Sequence, residues 1–86
     1  MGVKIQMPDE WLSMFTTKDS RCSTPWGTRV RKNRFDMGDM HPEGMEGTVI
    51  GTSYHPDLKE EVWLVQMDGD NENTRAITLP YKFDLI

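Results

Sequence analysis

The chain has 86 residues, a formal net charge of -4 and 28% charged residues, a length that supports one hydrophobic core and excludes a second independently folded unit. Leu, Ile, Val and Phe make up about 20% of it, the border below which highly charged chains stay unfolded, but the small net charge, three Trp, two Tyr and seven Met favour a folded core. The single Cys22 excludes an intramolecular disulfide framework, and no apolar run approaches the ~20 residues of a membrane helix, so a soluble domain in the reducing cytoplasm is expected.

In chain order, Pro8, Asp9 and Glu10 precede apolar residues at 11, 12, 14 and 15, the chemistry of a helix start followed by helical spacing. A helix of about two turns is unstable alone, so Trp11 and Phe15 are expected to dock on the rest of the domain and close one of its open ends. Residues 16–23 are polar and irregular, and Thr24-Pro25-Trp26-Gly27 reads as a turn. From 27 onward, short β-prone runs alternate with Gly-, Pro-, Asp- and Asn-rich loops, the pattern of an all-β unit.

The first strand is expected over 28–32, with Val30 inward and Arg29 and Arg31 on the opposite face. A long loop, 35–45, leads to a second strand over 46–54, in which Gly47 and Gly51 mark tight bends or close backbone approach. The third strand, 61–67, has apolar residues on both faces and should be central or covered. Residues 68–73 compose a hairpin turn, and a fourth strand follows over 74–79 with Ile77 and Leu79 available to the core. A single tight helical turn over 80–83 precedes a short last strand at Leu85 and Ile86. The fold class is therefore mainly β: five strands with a short N-terminal helix, organised as a helix and connecting segment over 1–26 and the β unit over 27–86.

Four stretches carry a family resemblance: G-T-R-V-R at 27–31, H-P-E-G-M-E-G-T-V at 41–49, V-W-L-V-Q-M-D-G at 62–69 and T-L-P-Y-K-F-D-L-I at 78–86. In this order they resemble the SH3-like barrels, particularly the photosystem I accessory subunit IV and KOW-type domains. The resemblance implies a five-stranded SH3-like barrel that docks on a larger assembly. The chain departs from KOW-type domains in its long loop, which holds Asp36, Asp39, Glu43 and Glu46 where those domains are basic. It also lacks the Tyr-rich first loop and Trp pair of polyproline-binding SH3 domains, although Tyr54, Tyr81 and Phe83 remain as aromatic candidates.

The chemistry-bearing residues are few. His41 with Asp36, Asp39 and Glu43, and His55 with Asp57, match no metal-ligand spacing and are expected as solvated loop residues. Asp68, Asp70 and Glu72 open like a calcium loop, but Asn73 stands where Gly is required and Leu79 where a bidentate Glu is required. No phosphate loop or nucleophile elbow is present, and neither His is near Cys22 in sequence. We therefore expect no enzyme activity, no cofactor and no metal.

Charge is divided along the chain: residues 1–33 hold six Lys/Arg against three Asp/Glu, and residues 34–86 hold four against eleven. The basic stretch Arg29, Arg31, Lys32 and Arg34, beside Phe35, is one candidate binding edge, for nucleic acid or for an acidic protein. Its bland counterpart is a strand face paired with the chain's own acidic loops. The loop residues Met37, Met40 and Met45, with Phe35, are candidate anchors for a protein partner, because Met surfaces adapt to what they bind. The expected function is a protein-binding accessory or regulatory module. The alternatives are a KOW-like module associated with nucleic acid at a ribosome or polymerase, and a virus-encoded acidic inhibitor of a host enzyme.

Overall fold

The computed structural model describes residues 9–69 and 75–86, including every side chain among them except those of Asp9 and Trp11. The elements in order are α1 (Asp9–Thr16), β1 (Arg29–Lys32), β2 (Glu46–His55), β3 (Glu60–Met67), β4 (Arg75–Thr78), a 3-10 turn (Pro80–Lys82) and β5 (Phe83–Leu85). The strands form one antiparallel sheet in the order β4-β3-β2-β1-β5, an arrangement compatible with a small β-barrel. The mainly β class and the single short helix are as the patterning implied.

The inner face follows the two-residue strand period. Val30, Val49, Trp63, Val65, Met67 and Phe83 form the core, Val49 directly opposite Val65, and the Trp63 and Phe83 rings tilt together at 6.5 Å between centroids. Fully burying an aliphatic side chain of this kind stabilises a fold by about 1.5–3 kcal/mol. Gly47 is needed on this face: a Cβ there would stand 2.8 Å from Val65 Cγ1.

The other side of the sheet is partly covered. The β2–β3 register shifts between Val49 and Gly51, a bulge that leaves Ile50 as the extra residue. Gly51 then pairs with Leu64, and a Cβ on Gly51 would lie 2.6 Å from the Phe15 carbonyl oxygen, so α1 crosses β2 where no side chain intervenes. Phe15 is 7% exposed and Leu64, on the same side as Gly51, is wholly buried. The apolar two-faced third strand is thus covered as its composition required.

The helix packs on β2 through Phe15, and the segment 22–26 is tied to β2 and β3. There Glu61 accepts hydrogen bonds from the Ser23 amide (2.8 Å), the Thr24 hydroxyl and Trp63 Nε1 (2.7 Å), while Trp26 Nε1 donates to Thr52 Oγ1 at 3.1 Å. One expectation is corrected: Ile77 is not a core residue but is 44% exposed. It stands opposite Leu64, so β4's parity turns Ala76 inward against Val65 and sends Ile77 out past the helix. The expected docking of Trp11 and most of the expected hairpin turn, residues 70–73, lie outside what is described.

Candidate functional site

The 33–45 loop is fixed by charge. Antiparallel pairing puts Lys32 on the same face as Val30, so its stem enters the interior and the residue is 5% exposed. This corrects its assignment to the exposed basic edge. Its ammonium donates to the His41 carbonyl oxygen at 2.5 Å and pairs with Asp39 at 3.0 Å. Asp39 also accepts from Lys82 of the 3-10 turn (2.9 Å) and from the Asp36 amide (2.8 Å), and Lys82 reaches Asp36 at 3.3 Å. The Lys82 donor first, then the Asp36 N–H and Lys32, hold the Asp39 carboxyl well below the usual carboxylate range. Asp36 and Asp39, expected as solvated groups, instead tie the loop to β1 and the 3-10 turn, and His41 is 7% exposed rather than free in solvent. Gly38 and Gly44, both at φ +89°, make the left-handed turns on either side of this clasp.

The clasp presents the loop's apolar residues unequally. Met37 is fully exposed, and Met40 and Phe35 are 68% and 60% exposed. Met45, grouped with them as an anchor, packs against the core. Between this loop and the β4–turn segment runs a groove of about 440 Å³, with Met40, Ile77, Leu79 and Tyr81 among its apolar lining. Sequence patterning missed Ile77 and Arg75 as surface residues here; the signal was the parity set by Leu64, which is visible only once the strands are paired.

The basic residues divide. Arg31 stands opposite Glu46 in the ladder, their side chains meeting at 3.1 Å, and Arg29 donates to Thr48 Oγ1 (2.8 Å), both Asp68 oxygens and Glu46 (3.4 Å). Asp68, hydrogen-bonded by Arg29, is accordingly depressed below the usual carboxylate value. Arg34 lies 5.0 Å over the Tyr81 ring and bonds Asn33, and Arg75 bonds Gln66; neither has a carboxylate partner among the described residues. The four basic residues thus do not form one surface: two are matched by acids, one is buried, and Arg34 stacks on Tyr81 beside the groove.

Elsewhere, the half-buried Cys22 thiol is pushed up by burial, offset in part by a hydrogen bond with Thr52. Among the described residues no three His, Cys, Asp or Glu side chains gather as a metal site, and no helix is long and apolar enough to cross a membrane. No protein-family model, curated protein or solved structure matches the chain.

Proposed function

We propose that the domain is a protein-docking module, an SH3-like barrel that attaches to a larger assembly in the cytoplasm through its long loop and 3-10 turn. The observation that carries this reading is the clasped loop. A large apolar side chain, Met37, is held fully exposed in the same loop as Met40, which lines the groove, and Phe35, while the loop itself is tied down through Asp39. A loop held this way loses little further freedom when a partner covers it, and thioether side chains fit varied partner surfaces. The strand order, with β1 between β2 and β5 and a 3-10 turn before β5, supports the SH3-like assignment. Nucleic-acid association through the basic stretch has less support, because Arg29 and Arg31 already face Glu46 and Asp68.

Affinity capture from source lysate with the wild type and with a Met37→Ser, Met40→Ser double variant tests the reading. A stoichiometric protein retained by the first and lost by the second is expected. Recovery of no protein partner, or of one indifferent to the two changes, would overturn it.

A further inference from the structure

The groove also runs along β4, an edge strand of the described sheet. β4 and β5 are the two edges of the sheet, and among the described residues β4 pairs only with β3. All four residues of β4, from Arg75 to Thr78, line the groove in succession. A cavity against one face of a strand meets alternate side chains, so an unbroken run of lining residues places it along the unpaired edge. Such an edge offers free N–H and C=O groups to an extended chain, the main-chain basis of strand addition.

Charge limits what could lie there. Lys32 and Lys82, which also line the groove, are matched by Asp39 and Asp36. Arg75 at the start of β4 and Arg34 over Tyr81 are exposed guanidinium groups with no carboxylate partner among the described residues. Among the described residues, then, Arg75 lines the groove and Arg34 stands beside it over the lining residue Tyr81, two guanidinium groups without a carboxylate partner on a chain whose net charge is -4. We propose that this seam takes an extended acidic segment of a partner protein, which adds to β4 as a strand. Its carboxylates meet Arg34 and Arg75, and its apolar side chains cover Met40, Ile77 and Tyr81. The inference rests on the docking reading and adds to it the chemistry of the partner and the mode of attachment. Proline is excluded from the paired positions, since it lacks the N–H that the ladder needs.

The test selects a displayed peptide library of unbiased composition against the full chain and measures the synthesised hits by fluorescence polarisation. Hits rich in Asp, Glu, Ile, Val and Phe and poor in Pro are expected. Their affinity should fall by about tenfold or more in the Arg34→Glu, Arg75→Glu double variant and stay unchanged in Arg29→Ala. N-methylating alternate peptide amides should weaken binding in one register and spare it in the other, a readout that leaves the protein itself unaltered. Proline-rich or basic hits, affinity indifferent to the charge reversal, or self-association of the chain through β4 in sedimentation would each overturn the proposal. Hits of the wrong kind that still depend on Met37 and Met40 would overturn it while sparing the docking reading. No retained hits, together with no captured partner, would remove both.

Discussion

The loop 33–45 and the helix α1 both lie outside the strand ladder, yet different forces hold them to it. The loop is held by ions: one carboxylate, Asp39, between two ammonium groups, with Lys32 on the interior side. The helix is held by close approach, Phe15 lying on a glycine with no room for a methyl group. An ionic clasp responds to pH and to removal of either charge, whereas a packed crossing responds to volume and is indifferent to both. The candidate docking surface sits on the ionic side, so its geometry can be disturbed selectively.

The largest expected effect is on the loop. Lys32→Ala takes one partner from a mostly buried pair and should cost about 3 kcal/mol in urea denaturation, with the Met45 methyl resonance moving toward its random-coil position. Lys32→Met, which keeps the stem, should recover part of that loss. A Lys32→Ala cost below about 1 kcal/mol would show the loop to be held by something other than the clasp.

Gly51→Ala is the matching change on the helix side. The added Cβ meets backbone rather than a flexible side-chain tip, so α1 must shift, at about 1–3 kcal/mol. Leu64 should become more accessible while the Met45 resonance stays in place. If both sides respond to either substitution, the two attachments are coupled and the distinction fails.

Acid should separate them next. Asp39 is depressed from its ordinary 3.8 by Lys82, the Asp36 amide and Lys32, so its contribution is complete above that value and disappears as pH falls through the lower, folded-state value. Asp19, lowered to about 2 by the side chain and amide of Arg21, adds a smaller local contribution of the same sign. Lys82 is raised above 10.5 by Asp39 and Asp36, so its share is complete below 10.5 and lost only at higher pH. Methyl spectra recorded as the pH is lowered should show Met37, Met40 and Met45 responding before α1 does, and the loop step should vanish in Asp39→Asn.

The smallest effect is expected at the surface network of Arg29. It is solvent-exposed, screened by salt and built from long side chains, so Arg29→Ala should leave the thermal midpoint nearly unchanged in moderate salt. A large loss there would mean that the network holds the β2–β3 end of the sheet as firmly as Asp39 holds the loop.

Much of the fold was legible because its signals are local. The two-residue period of the first strand, the two-faced apolar run at 62–65 and the glycines at 47 and 51 each describe their own surroundings. What misled was parity and partnership. Ile77 reads as a core residue until Leu64, across the ladder, sets which way β4 faces. Lys32 reads as part of a basic edge because sequence proximity to Arg29, Arg31 and Arg34 hides the period that turns it inward. Met45 reads like Met37 and Met40 although it sits one residue before β2, where the chain rejoins the core.

The class, the number of strands, the short helix and the close approaches at Gly47 and Gly51 follow from local signals, since propensity and period act over a few neighbouring residues. Which charges are consumed depends on long-range pairing. Asp39 lies 43 positions from Lys82, and Arg29 lies 39 from Asp68. Those pairings come from strand register, which is set by the whole sheet, and among the described residues they leave Arg34 and Arg75 without a carboxylate partner near the edge strand β4.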